Sequence, residues 1–226
     1  MLNPDDLTAL WITLKLAAIT TLILLVLGTP LAWWLARTRA RIKPAVDAMV
    51  ALPLVLPPTV LGFYMLLALG PDGFIGKLSY MLGGSSLAFT FTGLVIGSVI
   101  YSLPFVVQPL QNSFSTIGKR PLEVAATLGA TPLDRFFTVA LPLSRHGYLT
   151  AAVLGFAHTL GEFGVVLMIG GNLPGATQVL SISIYEHVET LEYGRAHLLS
   201  AVLLVLSFIL LCSVYAVNRR IRILQS

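Results

Sequence analysis

Five apolar stretches run along the chain, each close to the roughly 20 residues a helix needs to cross the hydrocarbon core of a bilayer. They predict membrane-spanning helices at about 10–34, 48–69, 87–110, 148–169 and 196–218. The first is bracketed by Trp11 and Trp34. At about 1.5 Å per residue these indoles stand roughly 35 Å apart, the spacing of the two interfacial belts. The second lies in the uncharged interval between Asp47 and Asp72, and the third follows a Gly83-Gly84-Ser85-Ser86 turn. His158 and Glu162 interrupt the fourth, and the fifth is uncharged between Arg195 and Arg219. Asp5 and Asp6 lead the first stretch where a cleaved signal would carry basic residues, so a retained helix is expected. The reading is an all-α membrane protein: one domain over 1–226, five spans, no barrel and no internal repeat.

Composition strengthens this picture. Of 226 residues, 56% are hydrophobic and 11% charged, against about 25% charged in soluble domains. Such a chain cannot cover its own surface with polar groups. A soluble enzyme, a disordered tail and a nucleic-acid binder are therefore excluded, despite the pI of about 9.4. The basic residues are unevenly placed. Arg37, Arg39, Arg41, Lys43, Lys119, Arg120, Arg135, Arg145, Arg219, Arg220 and Arg222 fall on one side of the five-span arrangement. Only Lys77 and Arg195 fall on the other, and Lys15 can snorkel outward from the first helix. The positive-inside rule predicts an outer amino terminus and a cytoplasmic carboxyl terminus. Cys212 is the single cysteine, which excludes an internal disulfide and a cysteine-clustered metal site.

The one long soluble segment is expected at 111–147, on the cytoplasmic side. From Lys119 it reads KRPLEVAATLGATPLDRFFTVALPLSRHG. Pro121 suits a first helical turn, and Gly129 suits a left-handed end. Thr131, Pro132 and Asp134 then form the signature of a second helix start. Leu133, Phe136, Phe137 and Ala140 would share its apolar face, and Leu141-Pro142 would close it. Two short helices joined by a glycine turn make a rigid knob, which local chemistry alone also allows as a surface loop without a partner.

The spacing of Glu123, Ala125, Gly129, Val139, Leu141 and Pro142 resembles the cytoplasmic coupling motif of ABC importer permeases, with Val124 and Val139 as mild departures. The stretches LPLVLPPTVLGFYMLLALGPDGFIG and LGFAHTLGEFGVVLMIGGNLPGATQVLSISIY look like the molybdate branch of the sulfate–molybdate group. Some relatives carry a further amino-terminal helix for which this chain is too short. The resemblance implies a type I ABC importer permease fold in the cell (inner) membrane. It implies a homodimer in membrane lipid, two ABC ATPase subunits and a solute-binding protein carrying the oxyanion. Glu123, Ala125, Ala126, Gly129, Leu141 and Pro142 would couple to the ATPase. The chain is expected to be a transport subunit rather than an enzyme, with no catalytic residues, no metal and no cofactor of its own. Gly73-Phe74-Ile75-Gly76-Lys77 lacks the spacing and hydroxyl of a phosphate loop, so ATP and Mg belong to the partner ATPase.

Within the spans, Pro53, Pro57 and Pro58 predict a broken second helix, read as a gate or as an interfacial entry loop, with Thr59 offering a hydroxyl. No Lys or Arg lies in the middle of a span, so an anion would meet only neutral donors: Thr59, Ser98, Ser102, Thr159 and Asn172. His158 and Glu162, spaced i and i+4, are expected to share a helix face, with Glu162 hydrogen-bonded to His158 or to backbone. The alternatives are tungstate or sulfate/thiosulfate as cargo, and a proton-coupled secondary transporter using Glu162. A membrane-embedded enzyme would need a catalytic set beyond His158 and Glu162.

Overall fold

The structure, a computed structural model, describes residues 3–223, and every regular element among them is helical. Side chains from 214 onward lie outside the described residues, as does 224–226, so the expected Arg219, Arg220 and Arg222 cluster is not described beyond its backbone. Helix α1 (Pro4–Arg37), α5 (Phe91–Ile117) and α9 (Arg145–Leu160) pack on one another as the centre of the molecule. Their shared core holds Leu24, Leu35, Val106, Leu110, Phe114 and Ala151, none more than 1% exposed. The hydroxyls of Thr13 and Thr21 turn back onto the carbonyls of Ala9 and Ala17, which satisfies them where no water is available. Outward-facing Leu22, Val26, Leu27, Leu204 and Phe208 are more than half exposed, as a lipid-facing surface requires.

Among the described residues, four runs are long and apolar enough to cross a membrane: Pro4–Arg37, Pro58–Met81, Phe91–Ile117 and Tyr193–Ser213. A fifth arises if α9 and α10 (Gly164–Gly170), bent by 60° at 161–163, count as one span. The second expected span, 48–69, is corrected. The chain is helical over α2 (Lys43–Val55), opens at Leu56 and Pro57, and resumes as α3 (Pro58–Leu69) and α4 (Phe74–Met81). Pro58 has no N–H to donate into a preceding turn, and the residue before a proline avoids the helical region, which breaks the ladder there. Pro53 lies inside α2 without ending it.

The segment 111–147 is entered by α5, which runs on to Ile117, and left by α9, which begins at Arg145. Within it come α6 (Arg120–Thr127), the Gly129 turn at φ +86°, and α7 (Pro132–Arg135), capped by Thr131 and Asp134. Leu141-Pro142 does not close the second helix. A π-turn over Phe136–Ala140 carries the chain into α8 (Leu141–Leu143), with the Leu141 N–H reaching Phe136 O. Widening the turn by one residue relieves the clash that Pro142 would impose on a regular ladder. Ala140 is buried and Phe136 half-buried against Trp33, but Leu133 and Phe137 stay exposed.

Besides α4, helix α11 (Leu180–Glu189) was not expected. It lies against the start of α1, before α12 (Tyr193–Ile223). The Leu180 N–H donates to Thr13 Oγ1 at 2.7 Å, and His187 Nε2 stands 3.2 Å from Asp6 Oδ1.

Candidate functional site

The break between α2 and α3 meets the break between α9 and α10. Helices α3 and α10 run side by side so closely that a Cβ added at Gly62 would fall 2.7 Å from Met168 Cβ, and one at Gly164 would fall 2.8 Å from Pro58 Cβ. The two interruptions open onto one cavity of about 600 Å³. Pro58, Thr59, Tyr101, His158, Gly161, Glu162, Phe163 and Gly164 line it, with no Lys or Arg among them. The first turn of α3 has no side-chain cap, and its Pro58 and Thr59 border this space, at the end of the helix that carries the positive pole of its dipole.

His158 and Glu162 both reach the cavity, but not as a pair. Helix α9 ends at Leu160, so the two residues no longer belong to one continuous helix face. His158 Nδ1 lies 2.9 Å from Ser102 Oγ, which also meets Thr159 Oγ1 at 2.9 Å, and Thr159 donates to Gly155 O. The imidazole stacks on Phe105, with ring centroids 3.8 Å apart. The expected bond from Glu162 to His158 or backbone is absent. Glu162 is 4% exposed, and neither carboxyl oxygen has a hydrogen-bond partner in the protein. The Ser98 hydroxyl stands beside it and is likewise unpaired by ordinary geometry.

Of the expected pathway donors, Thr59 reaches the cavity and the others do not line it. Ser102 and Thr159 are buried between α5 and α9 and satisfied by His158 and by each other, and Ser98 is buried in α5. Asn172 lies in the loop after α10, where its amide donates to Glu186 Oε2 at 3.0 Å. Pro57 is the exposed residue immediately before α3. Tyr101 and Phe163 were not anticipated at the site. Phe163 could have been read from its place between Glu162 and Gly164, whereas Tyr101 depends on how α5 packs.

At the opposite end, Glu123, Ala126 and Gly129 are exposed on the knob, Ala125 is half-buried, and Leu141 and Pro142 continue from the π-turn. Asp134 accepts from the Thr131 hydroxyl and backbone N–H, and these bonds hold its carboxyl below the usual carboxylate range. Among the described residues, no group of three His, Cys, Asp or Glu side chains is placed to hold a metal ion.

Residues 28–223 match the family model described as binding-protein-dependent transport system inner membrane component. The molybdenum transport system permease protein ModB of Azotobacter vinelandii is 61% identical over 218 residues, covering 96% of each chain. The protein of the same name in Haemophilus influenzae is 38% identical over 82% of this chain and 81% of that one. A bacterial ABC transporter that imports alginate shares the fold at a TM-score of 0.74 with 18% identity, covering all of this chain and 82% of the other.

Proposed function

Because the chain belongs to the family of binding-protein-dependent transport system inner membrane components, we propose that it is the membrane-spanning subunit of an ATP-driven importer of molybdate. The 61% identity to a molybdenum permease across nearly the whole of both chains carries this reading. Two copies would place a pathway on their twofold axis. The cavity at the breaks of α3 and α10 would lie along it, walled by Thr59, Tyr101, His158 and Glu162. Broken helices at membrane depth suit a polar route, because exposed backbone is tolerated there only beside protein or water.

The chemistry of the cavity suggests a conduit rather than a trap. A dianion would meet the Thr59 hydroxyl and the positive end of α3 but no cation, and one buried carboxyl would oppose it. Affinity and selectivity are therefore assigned to the external solute-binding protein that delivers the anion. Energy is assigned to two ATPase subunits that bind ATP and Mg and engage the Glu123–Gly129 knob. The chain itself is a transport subunit without catalysis. Eleven basic residues against two favour a cytoplasmic knob and an outer amino terminus.

The test is uptake of labelled molybdate into proteoliposomes holding the permease, its ATPase and its binding protein, with tungstate, sulfate and thiosulfate as competitors. Uptake that needs ATP and is blocked by excess molybdate is expected. Uptake without the ATPase, driven by a proton gradient, would replace this reading with secondary transport. Preferential uptake of sulfate would move the chain to that branch.

A further inference from the structure

Two cavities adjoin at the basic end of α1, on either side of Trp33 and the start of the knob. One, of about 420 Å³, is lined by Arg37, Arg39, Lys119 and Arg135, with Glu123 its only carboxylate. No ion pair joins any of these cations to an acid. Arg37 spends one N–H on Gly118 O and Arg135 one on Thr131 O, which leaves most of both guanidinium forks free. The other cavity is an apolar groove of about 600 Å³ between α1 and the second half of the knob. Leu25, Val26, Trp33, Leu133, Phe136 and Phe137 form its walls. Trp33 joins the two, since its ring lines the groove while the Arg37 guanidinium lies 4.1 Å over it.

We propose that this pair of cavities holds one anionic phospholipid, its phosphate among Arg37, Arg39, Lys119 and Arg135 and one acyl chain in the Trp33–Phe136 groove. The depth fits, because interfacial tryptophans sit at headgroup level and Trp33 and Trp34 mark that level here. The charge fits as well. A basic pocket between helices at a membrane surface takes anionic headgroups, and an excess of unpaired cations disfavours the ammonium of a zwitterionic one. The groove would remain an exposed apolar cleft if only a small anion bound, so headgroup and chain together account for both cavities. A lipid held here bridges α1 to α7 and the π-turn, beside Glu123. Nothing in the transport reading requires it, and it rests only on this end of α1 lying at a bilayer surface.

The full chain, purified and placed in phosphatidylcholine nanodiscs with increasing phosphatidylglycerol, tests the proposal through its thermal midpoint. Native mass spectrometry counts the lipid retained after detergent wash. The midpoint should rise with phosphatidylglycerol, and one molecule per chain should be retained. R37Q/R135Q should weaken retention by roughly tenfold, and R37K/R135K, which keeps charge without the planar fork, should fall between. V26W fills the groove without altering charge and should also lower retention, while K77Q should not. Elution as a single folded species qualifies each variant. Equal response to both lipids, or full retention by folded R37Q/R135Q, overturns the proposal. Unchanged retention in V26W, or the same midpoint shift from inorganic phosphate in pure phosphatidylcholine discs, reduces the site to a free-anion pocket and overturns it too.

Discussion

The Glu162 carboxyl is 4% exposed and makes no ordinary hydrogen bond in the protein, with only the unpaired Ser98 hydroxyl beside it. Glu162 borders the cavity at the two helix breaks, and removing its charge breaks no ordinary hydrogen bond in the protein. Both Glu162→Gln and Glu162→Ala are therefore expected to assemble at wild-type levels, and the Gln variant to retain ATP-driven uptake. Uptake into proteoliposomes, normalised to assembled protein, checks this, and its loss in a well-assembled Gln variant would give the acid a direct part in transport. Ser102→Ala is the contrasting case, because it strips the partner from His158 and one from Thr159. Leaving a buried acceptor or donor unpaired costs about 1–3 kcal/mol, so Ser102→Ala should lower the thermal midpoint more than Glu162→Ala. At this scale the sequence was partly legible. Its polar residues within apolar spans marked Thr59, His158 and Glu162, all of which the fold brings to one cavity. The i, i+4 spacing misled for His158 and Glu162, because such spacing presumes an unbroken helix and α9 stops between them. Ser98, Ser102 and Thr159 are buried and do not line this cavity, and the sequence carries no sign of which helix face meets a neighbour.

Helices whose ends are set by local chemistry were the easiest to anticipate. Pro121, Gly129, Thr131, Pro132 and Asp134 act within one or two turns, and the knob forms where they predict. Gly129→Val should strain the left-handed turn by about 1–2 kcal/mol and lower uptake while membrane insertion survives. Normal transport and normal association with the ATPase in this variant would reject the docking role. The Thr131 cap gives a pH-dependent counterpart. Because its bonds depress the Asp134 carboxyl, their stabilisation is present above the unfolded value and is lost as pH falls through the lower folded one. Thr131→Ala should thus loosen the knob, by about 1 kcal/mol of helix stability, at any pH from 6 to 8. Hydrogen exchange over 120–135 would report it, and unchanged exchange would count against the cap. The π-turn and α11 were not legible. The first depends on how the chain relieves Pro142, and the second is only ten residues long, with its anchors on α1 more than 160 positions away.

For the whole molecule, hydropathy located four of the five apolar regions well and shifted one. The interval 48–69 is cut at Leu56 and Pro57, and the longer run begins at Pro58. The proposed orientation rests on the distribution of basic residues. Reporter fusions at Asn3 and Ser226 are expected on opposite faces, and finding both on one face would refute an odd number of spans. Packing also makes a global demand at Gly62, where an added Cβ meets Met168 and the Val165 backbone. Gly62→Leu should push α3 from α10 and cost about 1–3 kcal/mol, read as lower yield of assembled protein. The paired breaks carry a mechanical consequence. Bending an intact helix sacrifices hydrogen bonds, but at 56–57 and 161–163 the ladder is already open between α2 and α3 and between α9 and α10. The molecule thus contains a crease, along which α3 and α10 are expected to move as one leaf relative to α1. Distances between spin labels on α3 and α1 should change between nucleotide-free and nucleotide-bound transporter, while those between α1 and α5 hold still.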